Sequence, residues 1–377
     1  MPKKIKNIFL RNLTFEKLMQ AHYRAKKHKT YKNEVIKFEF NLENNIINLM
    51  NNLRNETYRL GKYFTFKVYE PKERYIQALP YKDRIVHQWY VEEFIKPYIL
   101  PKFIHSTYAC LPDKGTHRAV ADVQHQMQVY RRTNKNFWIL KCDIKKFFYS
   151  INPYILFNII KRFFADPYFL HLTQIFIFNG PIDKSAVGIP IGNYTSQFFA
   201  NIYLNELDQY VKRELKIKHY TRYMDDFILI LKNKQECIYI KKKIETFLKS
   251  ELKLELNDKS RYYPSKMGVN FCGYRIFPTH RLLRTSSKKK INKNIKKWNY
   301  QYQNKKLDIN YANQSLNSWL AHASHSNSFL LTQKIINKCN FIYTNSTDLK
   351  IEENLIIDME NYNKSSEATQ VKLSRVF

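Results

Sequence analysis

The sequence predicts an α+β fold in which a small antiparallel sheet lies among many helices. Apolar runs that adjoin carboxylates, at 137–143 and 226–231, are typical of short buried strands. Elsewhere, apolar residues recur at spacings of three and four, which indicates amphipathic helices. The length of 377 residues allows two or three subdomains with separate cores.

The net charge of the chain indicates which kind of partner the protein binds. The 64 Lys+Arg outnumber the 32 Asp+Glu and give a net charge of +32, so a polyanionic partner is the leading expectation. No run of about 18 apolar residues occurs, and the N-terminus lacks the apolar core of a signal peptide. We therefore expect a cytoplasmic protein without membrane contact. The five cysteines include no C-x-x-C pair, which argues against structural zinc.

The first 80 residues divide into a helical region and a hairpin. Residues 15–23 and 42–53 carry apolar positions at helical spacing. Residues 63–69 alternate like a strand, and 75–79 form its partner. Lys72 and Arg74 near the hairpin tip could grip a triphosphate, because a guanidinium group offers a bidentate fork. Solvated surface charge is the alternative role for both residues.

Three carboxylates are expected at one end of the predicted sheet. A strand that ends at Asp143 and a hairpin with Met224-Asp225-Asp226 at its tip would bring them together. Clustered carboxylates repel one another unless cations neutralise them, and Mg²⁺ is typically held by a few carboxylates plus substrate phosphates. The cluster therefore suits two-metal phosphoryl transfer. The alternative is that the Asp-Asp pair merely makes a polar turn.

A glycine-containing loop lies between these acids in the sequence. Gly188 and Gly192 flank Pro190, and the helix that follows has Thr195 or Ser196 as its candidate N-cap. The loop would let backbone approach a nucleotide closely. Phe148 could lie beneath an incoming sugar, although an aromatic residue beside a strand is more often part of the core.

The C-terminal third begins with a composition shift. An amphipathic helix at 237–252 and a strand-like run at 271–277 precede residues 281–306, which hold many Lys and Arg and no acid. Apolar residues at helical spacing, Ile291, Ile295 and Trp298, indicate a helix with a separate lysine face for phosphate contacts. The lysines of interest are Lys288, Lys289, Lys293, Lys296 and Lys297. Residues 345–377 are acidic, and we expect a partly disordered appendage there.

Two of these motifs carry a family resemblance. Tyr223-Met224-Asp225-Asp226 together with Asp143-Ile144-Lys145-Lys146-Phe147-Phe148 resembles the catalytic motifs of reverse transcriptases. The resemblance implies a right-hand polymerase with fingers, a palm with an antiparallel sheet, and a helical thumb. The implied regions are an N-terminal helical region at 1–60, fingers at 61–135 with 160–200 partly fingers or palm, a palm at 136–278, a basic thumb at 279–344 and an acidic tail at 345–377.

The resemblance also implies residue roles. Asp143, Asp225 and Asp226 would be catalytic and, with the backbone carbonyl of Ile144, would hold two Mg²⁺ ions. The implied nucleotide-binding residues are Lys72, Arg74, Phe148, Ile191, Gly192, Asn193, Gln197 and Lys259. The implied primer grip is Phe271, Gly273 and Tyr274. The lysine face described above, Lys288, Lys289, Lys293, Lys296 and Lys297, would contact the nucleic-acid backbone. Template RNA, a cDNA or RNA primer, and dNTPs would be the binding partners.

The loop after Pro190 narrows the resemblance within the group II intron-like bacterial superfamily. Group II intron enzymes carry Pro-Gln-Gly followed by Ser-Pro, whereas this chain has Ile191-Gly192-Asn193 followed by Ser196-Gln197. That pattern resembles the reverse transcriptases of diversity-generating retroelements, as do segments 108–117 and 318–323. Replacement of a hydrogen-bonding Gln by apolar Ile191 predicts lower fidelity, because specificity depends on such contacts.

The narrower family implies a bacterial or phage-encoded enzyme that supports mutagenic retrohoming. It would copy a template-repeat RNA into adenine-mutagenised cDNA with the help of a small basic accessory variability protein. One alternative is a phage-defence, retron or group II intron-type reverse transcriptase. Another is a non-catalytic RNA-binding protein on the same scaffold, although three retained carboxylates would then only repel RNA.

Overall fold

The protein forms two compact units, Met1–Ser265 and Lys266–Phe377. The computed structural model describes residues 3–69, 73–178 and 187–341. Each unit combines helices with antiparallel strands, which confirms the predicted α+β class. Lys72 and the acidic tail predicted at 345–377 lie outside the described residues.

Helices make up most of the first unit, and their apolar faces share one core. The helices are α1 (Phe9–Asn12), α2 (Phe15–Lys26), α3 (Asn33–Glu39), α4 (Leu42–Arg54), α5 (Tyr81–Tyr90), α6 (Lys96–Tyr98), α7 (Thr116–Thr133), α8 (Phe147–Ser150), α9 (Pro153–Phe163), α10 (Pro167–Phe178), α11 (Tyr194–Gln209) and α12 (Lys234–Glu251). π-Helical turns extend α5 at Val91–Ile95 and α11 at Tyr210–Glu214. The helices predicted at 15–23, 42–53 and 237–252 are therefore confirmed.

The predicted N-terminal hairpin is present. Its strands are β1 (Phe64–Val68) and β2 (Arg74–Ala78), which pair antiparallel with Val68 opposite Arg74. Every residue of β1 is exposed, whereas the second half of β2 is half-buried. Strand β1 and the start of β2 are therefore exposed to solvent, whereas the later part of β2 packs against the rest of the unit.

The central sheet of the first unit has four antiparallel strands. They are β3 (Trp138–Asp143), β4 (Tyr220–Tyr223), β5 (Asp226–Leu231) and β6 (Arg261–Pro264), in the order β4-β5-β3-β6. Helix α12 packs on β3, β5 and β6, and α7 packs on β4 and β5. Since five consecutive residues of β5, from Phe227 to Leu231, are buried, this strand is a rigid support for the carboxylates at its start.

The described part of the second unit, up to residue 341, has a small sheet and three α-helices. The sheet is β7 (Val269–Phe271), β8 (Tyr274–Ile276) and β9 (Arg281–Leu283), and the helices are α13 (Thr285–Gln303), α14 (Ile309–Ser324) and α15 (Phe329–Ile336). Ile291, Ile295 and Trp298 are buried in the core of this unit. The predicted apolar face of the basic helix is therefore confirmed.

Two local predictions are wrong. Neither Thr195 nor Ser196 caps a helix, because α11 already begins at Tyr194 and both residues lie inside it. The Thr195 hydroxyl instead bonds the His87 ring at 2.8 Å. The predicted tip Met224-Asp225-Asp226 is also one residue too long, since Asp226 is the first residue of β5 and pairs with Tyr223.

The length and hydropathy of the helices bear on whether the chain could span a membrane. No helix within the described ranges is long and apolar enough to cross a bilayer.

Candidate active site

The three carboxylates meet at one end of the central sheet, as predicted. Asp143 is the last residue of β3 and lies opposite Asp226, the first residue of β5. Asp225 lies in the two-residue turn between β4 and β5, beside Met224, which has a φ of +57°. The antiparallel register thus brings residues from distant parts of the sequence to neighbouring positions.

Electrostatic strain marks this sheet end. Burial, followed by the negative charges of Asp143 and Asp226, raises the pKa of Asp225 to about 6. The positive charge of Arg74 acts in the opposite direction and lowers the pKa of Asp225. Arg74, on the exposed hairpin, is therefore within electrostatic reach of Asp225, as the predicted role in triphosphate binding requires.

Lys141 supplies a cation to the cluster. Its ammonium nitrogen lies 2.5 Å from each carboxylate oxygen of Asp226. Because side chains two positions apart share one face of a strand, Lys141 and Asp143 project from the same side of β3. The cluster is thus partly neutralised from within the protein.

The turn that carries Asp225 is tied to a buried ion pair. Arg222 donates from Nη1 to the Met224 carbonyl at 3.0 Å. Its Nε and Nη2 also bond the two oxygens of Asp208, at 2.7 and 2.6 Å. Asp208 accepts further bonds from the Tyr220 and Thr107 hydroxyls. Because Arg222 and Asp208 are fully buried, this network fixes the turn from the core side.

A second turn, at 257–260, lies against Asp143. Residues 255–257 extend the sheet next to 143–145, with a bridge between Ile144 and Leu256. The turn carries the exposed Lys259 two residues after Asn257, whose side chain contacts Asp143. The structure therefore brings the segment of Lys259 alongside the carboxylates.

Loop 188–193 is held between helix α8 and the hairpin. On one side, the Ile189 amide donates to the Phe148 carbonyl at 2.8 Å. On the other side, the Gln77 amide of β2 donates to the Ile191 carbonyl, also at 2.8 Å. The loop thus connects Phe148 with the hairpin that carries Arg74.

Asn193 and Gly192 strengthen the contact between loop and hairpin. The Asn193 side-chain amide donates from Nδ2 to the Tyr63 hydroxyl at 3.0 Å. Gly192 has a φ of +120°, and a Cβ atom there would lie 2.9 Å from the Ile76 side chain. The predicted nucleotide-binding residues of this loop therefore form one connected surface with β2, while Gln197 is exposed one turn into α11.

The remaining predicted site residues belong to the second unit. Phe271 and Tyr274 are buried, and Gly273, with a φ of +92°, occupies the turn between β7 and β8. The Tyr274 hydroxyl donates to the His322 carbonyl at 2.7 Å, and a Cβ atom on Gly273 would lie 3.0 Å from the His322 ring. Both aromatic side chains of the predicted primer grip are therefore buried, whereas the turn at Cys272 and Gly273 is half-buried.

The lysines of α13 border a surface depression of about 410 Å³. It is lined by Thr285, Lys288, Lys289, Asn292, Lys293 and Lys296. Lys297 is exposed beside it. The predicted lysine face is therefore a physical feature of the second unit.

The residues at the sheet end fit Mg²⁺. Across the described ranges, no three His, Cys, Asp or Glu side chains form a preformed metal-binding group. Mg²⁺ usually takes one or two protein carboxylates and completes its shell with substrate phosphates and water, so a protein cage is not required. Burial and the negative charges of Asp143 and Asp226 raise the pKa of Asp225, and a divalent cation at this position would favour its ionised form.

Three contributors to the site were missed by the sequence analysis: Lys141, Arg222 and Asn257. Lys141 could have been recognised from the sequence, because a lone lysine in an apolar strand, two positions before Asp143, lies on the same face of the strand as Asp143. No sequence pattern identified Arg222 or Asn257. Arg222 contacts Asp208 and Met224, and Asn257 contacts Asp143, and these contacts are recognisable only once the strands are paired.

An acidic sheet end with an adjacent cationic hairpin is typical of enzymes that transfer phosphoryl groups with the help of metal ions. A protein-family comparison makes the class specific: the model described as "Reverse transcriptase (RNA-dependent DNA polymerase)" matches residues 69–276. The chain belongs to this family. The predicted enzyme class, an RNA-directed DNA polymerase, is confirmed at the level of the family.

Curated relatives share about a quarter of the aligned residues with this chain. Protein YkfC of Escherichia coli K12 is 26% identical over 252 residues, which are 56% of this chain and 66% of the relative. The group II intron-encoded protein LtrA of Lactococcus lactis subsp. cremoris is 23% identical over 305 residues, or 62% of this chain and 50% of LtrA. The putative COX1/OXI3 intron 2 protein of Saccharomyces cerevisiae is 24% identical over 236 residues, or 46% of this chain and 27% of that protein. The chain thus spans between about a quarter and two thirds of these relatives.

Among solved structures, apo telomerase from Candida tropicalis, truncated from its C-terminal domain, is similar with a TM-score of 0.43 and 14% identity. The similarity covers 59% of this chain and 55% of the telomerase chain.

Proposed function

We propose that this protein copies RNA into DNA, with Asp143, Asp225 and Asp226 as its catalytic carboxylates. The observation that carries the proposal is the register pairing of Asp143 with Asp226 next to the Asp225 turn. Membership of the reverse transcriptase family supports the same reaction. The substrates would be a template RNA, a DNA or RNA primer, and dNTPs.

The chain's own residues would bind and orient the reactants. Asp143, Asp225, Asp226 and the Ile144 carbonyl would hold two Mg²⁺ ions. When bound, these ions supply the charge that activates the primer 3′-hydroxyl and stabilises the leaving oxygen. Arg74 would clamp the triphosphate through its guanidinium fork, and Phe148 would limit the space beside the sugar. Lys259 would donate a proton to the departing pyrophosphate.

We further propose the retroelement subfamily, in which copying is error-prone at template adenines. Support comes from the Ile191-Gly192-Asn193 loop and its bond to β2 through the Ile191 carbonyl. Because the apolar Ile191 side chain offers no hydrogen bond, the loop would tolerate mispaired nucleotides. The accessory basic protein and mutagenic retrohoming follow from this proposal.

A group II intron-type enzyme is the second candidate. Its support is the similarity to the group II intron-encoded protein LtrA. The two candidates differ in fidelity, since only the retroelement enzyme is expected to misincorporate selectively at adenines.

Primer extension tests both levels of the proposal. A DNA primer annealed to an adenine-containing RNA would be extended by the wild type with Mg²⁺ and dNTPs, and the products would be sequenced. Asp225→Asn should abolish extension while leaving RNA binding intact. Failure of the wild type to extend, even with cognate RNA and accessory protein, would contradict polymerase function.

The error spectrum tests the subfamily. Errors clustered at adenines would support the retroelement assignment, and accurate DNA would support the intron-type candidate. Ile191→Gln should lower the adenine-directed error frequency at unchanged extension rate. Equal spectra for Ile191→Gln and wild type would contradict the role proposed for this side chain.

A further inference from the structure

The main chain of Asp143 is fixed by the turn at 257–260. The Asn257 backbone N–H donates to the Asp143 carbonyl at 2.7 Å. The Asp143 amide donates to the Ser260 hydroxyl at 3.1 Å, and that hydroxyl lies 3.3 Å from the Asp143 carbonyl oxygen. Backbone and Ser260 together therefore hold the position of the Cα atom from which the carboxylate extends.

The Asn257 side chain contacts the carboxylate itself. Its Nδ2 donates to Oδ2 of Asp143 at 3.0 Å. Its Oδ1 accepts from the Lys259 backbone amide at 3.1 Å, and this second bond fixes which end of the side-chain amide faces Asp143. The group facing the carboxylate is consequently an N–H donor, and it fixes the orientation of Oδ2.

We propose that Asn257 is a positioning residue that orients the Asp143 carboxylate for metal binding, an inference that rests on the proposed polymerase function. The same side chain fixes the turn that carries Lys259, so it couples the metal-binding carboxylate to the proposed proton donor. Carboxylates that bind metals are themselves commonly held by hydrogen bonds, and loss of such a partner typically weakens metal affinity or activity about 10–100-fold.

Ser260 provides a matched control within the same turn. It bonds the Asp143 backbone, whereas Asn257 bonds both the backbone and the carboxylate. Ser260→Ala therefore perturbs the turn without removing the carboxylate contact. Asn257→Ser provides a second test variant, because a hydroxyl can replace the turn contact to Lys259 but is too short to replace the amide donor.

The test measures Mn²⁺ binding by electron paramagnetic resonance. The complex would contain the full chain, an RNA template, a dideoxy-terminated DNA primer and the matching dNTP, so that no reaction occurs. Asn257→Ala and Asn257→Ser should each weaken Mn²⁺ binding about tenfold, whereas Ser260→Ala should change it less than about twofold. In single-turnover extension, both Asn257 variants should need more Mg²⁺ for half-maximal rate, and saturating Mg²⁺ should restore the rate.

The outcomes separate this inference from the proposed function. Wild-type Mn²⁺ binding that Asp143→Asn leaves unchanged would overturn the metal site, and with it both proposals. Binding that needs Asp143 but is unaffected in both Asn257 variants would overturn only the positioning role. Equal losses in Ser260→Ala and the Asn257 variants would assign the effect to the turn as a whole and would also overturn that role.

Discussion

At the scale of single residues, Arg222 joins the core to the proposed catalytic turn. Both Arg222 and Asp208 have no exposed side-chain surface. Removing one partner of a buried ion pair costs about 3–5 kcal/mol, because the other charge is left uncompensated. We therefore expect Arg222→Met to lower the free energy of unfolding by about that amount, measured by urea denaturation.

Arg213 is a suitable control for this prediction. It is exposed in the π-helical turn that follows α11. Arg213→Met removes the same charge, yet it should change the free energy of unfolding by less than about 0.5 kcal/mol, as surface substitutions usually do. Similar effects of the two substitutions would show that Arg222 has no special structural role.

His87 links stability to pH. The ring is buried, and its Nε2 has no hydrogen-bond partner among the described residues. Burial lowers the pKa of His87 from 6.5 to about 3. Between these values the unfolded chain binds the additional proton, so the contribution of His87 to stability falls as the pH drops from 6.5 towards 3. At pH 5 the loss amounts to about 2 kcal/mol relative to pH 8.

The expected result is a pH-dependent mutational effect. His87→Gln cannot be protonated in this range, so it should destabilise the protein less at pH 5 than at pH 8, by about 2 kcal/mol. Urea denaturation of wild type and variant at both pH values measures this difference. Protonation of the other histidines affects wild type and variant equally, so it does not contribute to the difference between their free energies of unfolding. An identical effect of the substitution at the two pH values would contradict the lowered pKa.

At the scale of elements, the contact between loop 188–193 and β2 is the feature that shapes the proposed nucleotide site. At Gly192 a Cβ atom would lie 2.9 Å from Ile76 and 3.1 Å from the Gln77 carbonyl oxygen. Gly192→Ala should therefore push the loop away from the hairpin. We expect the KM for dNTP to rise about tenfold in steady-state extension, which corresponds to a loss of ~1.4 kcal/mol.

Gly115 separates this contact from simple backbone strain. Its φ of +129° resembles that of Gly192, but a Cβ atom there would meet nothing within 4 Å. Gly115→Ala shares the conformational penalty without the collision, since L residues disfavour positive φ at both positions. It should leave the KM for dNTP within about twofold of wild type. A tenfold rise in both variants would indicate that strain, and not the loop contact, is responsible.

Elements defined by local patterns could be predicted from the sequence, whereas side-chain contacts between distant residues could not. An apolar run predicts the strand that ends at Asp143, and adjacent carboxylates before a second apolar run predict the hairpin. The prediction that Thr195 caps a helix was wrong, and the Thr195 hydroxyl instead bonds His87, 108 positions away. Asn257 likewise contacts Asp143 across 114 positions. Such contacts depend on tertiary pairing, which no local rule contains.

At the scale of the whole molecule, the net charge of +32 predicts salt-dependent nucleic-acid binding. The location of the charge matters as much as its size. Lys288, Lys289, Lys293 and Lys296 line one depression on α13. If all four contact phosphates, replacing them with Gln should reduce the slope of log affinity against log salt by about 3 to 4. Fluorescence anisotropy with an RNA–DNA primer duplex, measured over a range of salt concentrations, gives this slope.

Helix α12 offers a control with the same change in total charge. Lys234, Lys242, Lys243 and Lys249 are exposed on this helix, whose buried face packs on the central sheet. If net charge alone governed binding, replacing these four lysines with Gln would reduce the salt slope as much as the α13 substitutions do. We expect a clear reduction only for α13, because counterion release depends on lysines that touch phosphates. Equal slopes for the two variants would contradict a localised interface on α13.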